Sequence, residues 1–229
     1  MKKYGILVLL TFSFFISKAQ YRVNAGASLG ADVSMATLGV EREFNVISKK
    51  FHINPGVRIN VFNGKNLDYI TAPAEYTSND DQVDTLGFSS IQNNFVNLYV
   101  RLGYDITEKL SLSFDIDLFG ASFGSGQSYN SLRLGEASNG DLTDYSQLSK
   151  NADPTIVNVL LVGDNDLGSL NSTLSLTYNP TQRIGIDLGA GLVFTEYTTD
   201  QEIGTTKNTR FRNKSMMGYL GVSYLLGDK

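Results

Sequence analysis

The sequence contains no cysteine and only one histidine, His52, among its 229 residues. The absence of cysteine excludes disulfide bonds, zinc–thiolate sites and cysteine nucleophiles. Strand pairing and packing must therefore stabilise the fold. The sequence predicts no cofactor and no metal site.

A long apolar run is also missing after the N-terminal region. Lys2 and Lys3 precede an apolar stretch from Ile6 to Ile16, and small residues follow at Ser17 and Ala19. The stretch is shorter than the roughly 20 residues of a membrane-spanning helix. Its basic start, apolar middle and small residues are typical of a secretory signal peptide. We predict that residues 1–19 are cleaved and that the mature chain is exported.

The chain lacks an excess of basic residues. Removing residues 1–19 removes three lysines and no acidic residue, which leaves 16 basic against 23 acidic side chains, a charge of −7. An acidic, exported protein is a poor partner for nucleic acid. We therefore predict no nucleic-acid binding.

A strictly alternating stretch is the clearest positive signal. Apolar residues occupy every second position from Leu110 to Leu118, and serine or aspartate lies between them. A polar turn, Thr107–Lys109, separates this stretch from a second alternating run, Leu98–Ile106. Alternation with a period of two predicts strands with one apolar and one polar face. The two runs therefore form a hairpin whose apolar face meets either a protein core or lipid.

The same alternation recurs along the chain and predicts eight strands. They cover about 21–33, 37–47, 51–62, 94–106, 110–123, 170–178, 184–197 and 211–226. Three connections are tight, whereas those at 63–93, 124–169 and 198–210 are long and polar. An even strand number with tight turns at one end and long loops at the other is typical of an outer-membrane barrel. The alternative is a soluble eight-stranded barrel.

An aromatic residue precedes each tight turn. Tyr104–Leu112 and Tyr178–Ile186 share the order aromatic residue, turn ending in Lys or Arg, next strand, and Phe44–Ile53 repeats it with one insertion. Tyr224, near the end of the last strand, would lie at the same level. We therefore predict that Phe44, Tyr104, Tyr178 and Tyr224 form an interfacial girdle.

With these features the mature chain, residues 21–229, resembles small eight-stranded outer-membrane β-barrels of the OmpA/OmpX-like or PorT-like group. The resemblance implies an all-β fold, an eight-stranded antiparallel up-and-down transmembrane β-barrel with tight periplasmic turns and long extracellular loops. It also implies a location in the cell outer membrane, with outer-membrane lipid as a partner. The predicted organisation is a signal peptide, 1–19, and one barrel domain, 20–229.

Charged residues fall on the polar face of the predicted strands and should point into the barrel. An eight-stranded barrel is just wide enough for its own side chains, so we expect these charges to pair across the lumen. The predicted lumen charge network comprises Glu41, Glu43, Arg58, Arg101, Asp115, Asp117 and Asp187. The alternative is a proton or ion path through Asp115, Asp117 and Arg101.

Catalysis has little support in this pattern. Lipid-modifying enzymes of the barrel class use a histidine near the outer leaflet, whereas His52 follows a periplasmic turn. The thickness of the membrane, an apolar band of about 25 Å, separates the two positions. We expect His52 to be a hydrogen-bonding residue at the periplasmic rim.

The largest connection, 124–169, contains an apolar segment. Asp153, Pro154 and Gly163 have the positions of helix caps around it, which favours a short helix. The β-branched residues of the segment also allow a strand. Its side chains are too apolar for a solvated loop, so they pack on the barrel mouth or on a partner. This candidate partner-binding loop consists of Ile156, Val157, Val159, Leu160 and Leu161.

The sequence predicts a non-enzymatic outer-membrane barrel that acts as a structural or scaffolding protein, through its wall and its extracellular loops. A membrane-protein partner complex would follow from that role. The first alternative is a small channel or transport component. The second is a lipid-modifying outer-membrane enzyme.

Overall fold

The computed structural model describes residues 20–48, 50–72, 74–77, 79–138, 149–161, 165–204 and 206–227. The predicted signal peptide lies outside these residues, so its cleavage stays a prediction. Within the described ranges, no helix has the length and apolar character needed to cross a membrane.

Strands make up most of the described chain. In chain order they are β1 (Tyr21–Gly30), β2 (Val33–Arg42), β3 (Asn45–Ser48), β4 (Phe51–Thr71), β5 (Thr85–Thr107), β6 (Leu110–Phe123), β7 (Gln127–Ser128), β8 (Ser131–Arg133), β9 (Asn151–Pro154), β10 (Val157–Val159), β11 (Leu170–Tyr178), β12 (Ile184–Ile203) and β13 (Asn208–Leu226). A one-turn helix, α1 (Ala74–Thr77), and two short 3-10 turns, Asp80–Gln82 and Glu136–Ser138, lie in connections.

Eight of these strands close into a ring. The order around the ring is β1, β2, β4, β5, β6, β11, β12 and β13, and all neighbours are antiparallel. β13 returns to pair with β1, with Tyr21 opposite Leu226. Closure joins the first and last strands of the ring, so the wall has no free edge strand. The predicted eight-stranded antiparallel barrel is confirmed.

The wall carries its apolar side chains on the outside. Leu188 is 67% exposed, Leu220 58% and Leu38 54%, whereas Arg58 and Asp115 are each 3% exposed. Successive strand residues point to opposite faces, so the alternation in the sequence becomes an apolar outer surface and a polar lumen. An apolar surface this continuous belongs in lipid.

The tight turns lie at one mouth of the barrel, together with both ends of the ring. Glu108 and Lys109 connect β5 to β6, and residues 179–183 connect β11 to β12. Tyr21 and Leu226 lie at the same mouth. We call this the periplasmic mouth and the opposite one the outer mouth. The connection between β1 and β2, at residues 31–32, is the exception, because it is short and lies at the outer mouth.

The connections at 63–93 and 198–210 are mostly strand, so their prediction as long polar loops was wrong. β4 and β5 continue as a paired hairpin up to Ile70 and Thr85. β12 and β13 continue to a turn that the hydrogen bond from Lys207 N–H to Gly204 O closes at 3.1 Å. The four strands rise beyond the outer end of the apolar belt as a β extension.

Apolar packing explains why these strands continue. Leu67 is 9% exposed, and Tyr69, Leu86 and Phe88 are at most 1% exposed. The rings of Tyr69 and Phe88 pack edge to face with centroids 5.2 Å apart. Polar residues separate these apolar residues in the sequence. For that reason the continuation of the strands was not predicted.

Residues 151–160 also belong to the wall. β11 is short, and beyond its outer end β9 pairs with β12 while β10 pairs with β6. The helix predicted over 153–163 was wrong, and the strand alternative applies to the described part of that segment. The β-branched residues suit a strand, and the segment satisfies strand edges that the short β11 leaves open.

A β-bulge interrupts the alternation of β6. Leu98 lies opposite Phe119 and Tyr99 lies opposite Asp117, so Leu118 is the extra residue. Leu118 and Phe119 are both exposed on the outer surface, at 39% and 54%. The bulge keeps Asp117 inside and widens the apolar surface of β6.

The lipid-facing wall makes a depth-dependent prediction. We expect Leu188→Arg, near the middle of the belt, to lower the free energy of unfolding by about 2–4 kcal/mol, because the arginine must enter hydrocarbon. Ile156→Arg is the matched control at the outer end of the wall, where the cost is about 0–1 kcal/mol. Urea unfolding in lipid vesicles, followed by circular dichroism, measures both. Equal effects would contradict the assignment of the belt.

Candidate functional site

Two arginines and two aspartates form the centre of the lumen. Arg101 donates to both oxygens of Asp115, Nε to Oδ1 at 2.7 Å and an Nη to Oδ2 at 2.9 Å. Arg58 Nε donates to Asp117 Oδ1 at 2.6 Å, and Arg58 lies 3.7 Å from Asp115. All four side chains are at most 4% exposed. The arrangement is a buried ion-pair network, bidentate at Arg101, that joins the inner faces of β4, β5 and β6.

Glu41 joins this network from β2, the neighbour of β4 in the ring. Its carboxylate accepts a 2.7 Å hydrogen bond from the Tyr99 hydroxyl and a 3.2 Å bond from the Asn54 amide. Arg101 Nε lies 3.6 Å from the same carboxylate. The Tyr99 ring also stacks under Arg58, at 4.7 Å from centroid to guanidinium carbon. Glu41 is thereby connected through Tyr99 and Arg101 to both aspartates.

The structure brings most of the predicted lumen charges together but not all. Glu43 lies nearer the periplasmic mouth and pairs with Arg22 at 3.3 Å, a residue that the predicted network omitted. Asp187 has no hydrogen bond to the arginines of the network, and its Oδ1 accepts a 2.5 Å hydrogen bond from Thr177. The odd or even position of a residue along a strand identifies whether it faces the lumen. It does not say which inward side chains come into contact. Arg22 and Tyr99 were missed for that reason.

An apolar plug fills the outer half of the barrel, above the ion pairs. Met35, Phe62, Phe95, Val193 and Met217 are at most 3% exposed and belong to one core cluster with the β extension. Each lies on the inward face of its strand, where the sequence analysis expected polar residues. The lumen therefore has a charged inner half and an apolar outer half.

Paired apolar residues in the sequence mark this plug. Val61–Phe62, Phe95–Val96, Leu192–Phe194 and Met216–Met217 each place apolar side chains on both faces at once. A strand that is apolar on both faces has a core inside and lipid outside. These runs of adjacent apolar residues were the available signal for the plug.

The periplasmic mouth opens into a vestibule of about 580 Å³. Its walls carry charged and hydroxyl side chains from β1, β2, β4, β5, β6, β11 and β13 and from the tight turns. His52 lies in this wall, against Gly103. This is the rim position expected for His52.

The four predicted girdle residues lie at the periplasmic mouth. Tyr104 and Tyr178 are each 49% exposed, and Tyr224 is 44% exposed. Strand register places each of the three tyrosines opposite a residue at the start of another strand. Phe44 stacks on the Arg42 guanidinium at 4.5 Å. The three tyrosine rings therefore lie at one height along the barrel axis, at the periplasmic end of the apolar belt, as expected of residues at a membrane interface.

The candidate partner-binding residues lie on β10 and its flanks, beside the upper part of β6. Ile156 is 71% exposed, Leu161 49% and Val157 44%, whereas Val159 and Leu160 are half-buried. Val157 lies opposite Ala121 and close to the exposed Phe123. These side chains continue the apolar belt at its outer end.

A buried carboxylate that the sequence analysis missed lies just above this point. Glu196 is fully buried, and it accepts hydrogen bonds from Arg210 Nε and Arg212 Nη, both at 2.8 Å. The two arginines also donate to the backbone oxygen of Asp166. This cluster ties the segment after β10 to β12 and β13. Among the described residues, no group of three or more metal-ligating side chains occurs.

Tyr69 anchors the β extension beyond the membrane. Its hydroxyl lies 2.7 Å from Thr195 Oγ1, and burial raises the pKa of Tyr69 well above its usual range. The phenol therefore stays protonated and hydrogen-bonded at ordinary pH. This contact joins the two long hairpins of the extension.

A scan against protein-family models and a search of curated proteins find no match. Solved structures give barrels of similar architecture. Ail of Yersinia pestis in a phospholipid nanodisc is 11% identical, with a TM-score of 0.38 and coverage of 91% of this chain and 100% of that one. Neisserial surface protein A is 8% identical, with a TM-score of 0.39 and coverage of 90% and 94%. A de novo designed transmembrane β-barrel is 8% identical, with a TM-score of 0.39 and coverage of 90% and 95%.

The geometry of the chain itself identifies the type of protein. The ring of eight strands is closed, its outer surface is apolar, and its charges are buried inside. The tight turns and exposed tyrosines lie at one mouth, and the long hairpins at the other. The chain is a small eight-stranded transmembrane β-barrel of the outer-membrane type.

Proposed function

We propose that the protein is a non-conducting, non-enzymatic outer-membrane barrel that holds a folded β extension at the cell surface. The observation that carries this proposal is the filled lumen, in which an apolar plug lies above a buried ion-pair network. A lumen that is closed both by an apolar plug and by an ion-pair network suits a protein that anchors other structures in the membrane. It does not suit one that transports solutes. The extension shares its core with the plug, so the barrel fixes its position.

The outer surface supports a structural or scaffolding role. The wall contacts outer-membrane lipid through its apolar belt, with the tyrosine girdle at the periplasmic interface. A partner protein would meet the β extension, or the exposed end of the belt at Ile156 and Val157. These contacts require shape and apolar area, which the surface supplies, and no reacting group.

The part of the barrel that the structure describes offers no arrangement of residues that favours catalysis. The carboxylates of Glu41, Asp115 and Asp117 each pair with arginine or accept hydrogen bonds within the lumen. His52 lies at the periplasmic mouth, far from the outer leaflet. A general base needs a free acceptor within hydrogen-bond reach of a substrate, and these carboxylates are already held by arginine, tyrosine or asparagine donors.

Planar-bilayer recording tests the proposal. We expect the purified protein to give no discrete conductance steps, because ions would have to cross the apolar plug around Phe95. An engineered wide-lumen porin serves as the positive control for insertion and detection. Reproducible, charge-selective openings that Asp117→Asn abolishes would contradict the proposal and favour the ion path.

A further inference from the structure

The outer part of the wall between β6 and β12 is built differently from the rest of the ring. β11 begins only at Leu170, which lies opposite Phe194, whereas β6 continues to Phe123 and β12 to Ile203. Residues 151–160, which we call the strap, fill the window that this leaves between β6 and β12. β9 holds one half of the strap against β12, and β10 holds the other half against β6.

The strap has short ladders with the wall. Three residue pairs join β10 to β6, and three join β9 to β12. β9 also pairs with β7 over two residues. By comparison, β11 pairs with β12 along all nine of its residues and with β6 along seven. Segments held by few main-chain pairs open more readily than continuous strands, so the strap can open while β11 stays in place.

Asn158 fastens the strap from the inside of the barrel. The side chain is fully buried, and its Nδ2 donates to Asn97 Oδ1 at 2.8 Å. Its Oδ1 accepts hydrogen bonds from the Ser122 hydroxyl at 2.9 Å and from the Ser169 N–H at 2.8 Å. One amide group thereby joins the strap to β5, to β6 and to the residue that precedes β11. We call Asn158 the latch.

Two glycines make room for the latch. A Cβ at Gly120 would collide with the Asn97 amide oxygen, and a Cβ at Gly168 would collide with the Asn158 amide oxygen. Gly168 also has φ +75°, a left-handed conformation that favours glycine. The backbones on both sides of the latch therefore approach it closely, and a side chain at either position would displace it.

The latch is connected to the ion-pair network of the lumen. Asn97 Nδ2 donates to Asp117 Oδ2 at 2.7 Å and to the Ser169 backbone oxygen at 2.9 Å. The same oxygen of Asp117 accepts the Asn171 N–H at 2.8 Å, at the start of β11. On the lipid side, Ile156 is 71% exposed. Polar contacts inside the barrel, and not apolar packing outside it, therefore hold the β10 half of the strap closed.

We propose that the strap is a lateral gate that opens toward the outer leaflet, with Asn158 as its latch. Release of the Asn158 side chain frees the short ladder of β10 and uncovers the window between β6 and β12. The eight-stranded ring and the apolar plug stay in place, so the open gate gives no path through the barrel. The window lies at the outer end of the apolar belt, and it admits the polar head group of an outer-leaflet lipid to the amide and hydroxyl groups around Asn97.

Amide hydrogen exchange, detected by nuclear magnetic resonance in lipid nanodiscs, tests the gate on the intact barrel. Three amides bridge the strap and the wall at 2.8–3.0 Å, namely Thr155 N–H to Glu196 O, Ser122 N–H to Ile156 O and Leu160 N–H to Leu118 O. We expect all three to exchange at one common rate, about tenfold or more above that of the β11 amides, because one opening releases them together. Rates as slow as those of β11, or three unrelated rates, would overturn the proposal.

Asn158→Ala tests the latch. Loss of its buried hydrogen bonds should raise the exchange rate of the three bridging amides by about tenfold or more, with no change in β1 and β2. Asn60→Ala is the matched control, since Asn60 is also fully buried and accepts a 2.8 Å hydrogen bond from Thr37, away from the strap. It should leave the bridging amides unchanged. A similar rise in both variants, or a rise throughout the Asn158→Ala barrel, would contradict the role of Asn158.

A reversible cross-link decides the matter even if Asn158→Ala fails to fold. The chain has no cysteine, so Val159→Cys combined with Phe119→Cys gives a single disulfide between opposite residues of β10 and β6. The bridging amides should exchange about tenfold more slowly in the oxidised than in the reduced protein. Equal rates would mean that the strap does not open.

A phospholipid with a spin-labelled head group tests what the gate admits. It should broaden the Asn97 side-chain amide signal in the reduced form of the double variant and leave it sharp in the oxidised form. A signal that stays equally sharp in both forms would overturn the entry of a lipid head group.

Discussion

Replacing Arg58 with alanine is expected to lower the free energy of unfolding by about 3–5 kcal/mol, since the change leaves buried carboxylates without their cation. Arg58 donates to Asp117 Oδ1 and to the Asn171 backbone oxygen, both at 2.6 Å. It is also 3% exposed and lies over the Tyr99 ring. Alanine removes all three contacts and leaves Asp117 in a dry interior. Urea unfolding in lipid vesicles, followed by circular dichroism because the chain has no tryptophan, measures the loss.

Arg133→Ala is the matched control for this experiment. Arg133 also pairs with an aspartate at 2.6 Å, but its side chain is 61% exposed and that of its partner Asp68 is 55% exposed. Solvent screens this surface pair, so its loss should cost only about 0–1 kcal/mol. A similar loss in both variants would mean that the lumen is wet and that its ion pairs are weak.

The lumen charges could be predicted because strand alternation assigns each residue to a face. Arg58, Arg101, Asp115 and Asp117 have the parity of the polar face, and a narrow barrel forces inward charges to pair. Their partners could not be predicted with the same certainty. Arg22 on β1 meets Glu43, which directly follows β2, because β1 and β2 are adjacent. Asp187 instead accepts a hydrogen bond from Thr177 on the neighbouring strand β11.

The apolar plug was not predicted, because strand alternation indicates one polar face along the whole of each strand. Phe62 lies on the same face of β4 as Arg58, and Phe95 lies on the same face of β5 as Asn97. On each strand the inward face therefore changes from polar to apolar along its length. Alternation of apolar and polar residues reveals a strand only where one face is apolar and the other is polar. Where both faces are apolar the contrast disappears, and the strand then looks like an irregular apolar run.

The segment around Val157 shows the limit of local signals. Asp153 and Pro154 have the positions of helix caps, yet both belong to β9. Tertiary context overrides the caps, because open strand edges on β6 and β12 accept the segment. Those edges are open because β11 is short, and the length of β11 cannot be read from the segment around Val157.

The plug gives the second large effect, at Phe95. This side chain is fully buried and lies between Asn60 on β4 and Ser122 on β6. Phe95→Ala should cost about 3–5 kcal/mol of unfolding free energy, because it leaves a cavity where the plug meets the charged half of the lumen. The same urea unfolding in vesicles measures it.

Phe123→Ala provides the comparison that makes the Phe95 result specific. Phe123 is 47% exposed on the outer surface, so its truncation exchanges ring–lipid contacts for other lipid contacts and leaves no internal cavity. It should therefore cost clearly less than Phe95→Ala. Equal costs would mean that Phe95 is not part of a packed core. A Phe95→Ala barrel that stays electrically silent in planar bilayers would further show that the ion-pair network closes the lumen by itself, since Arg58 and Arg101 lie below the cavity and keep their partners.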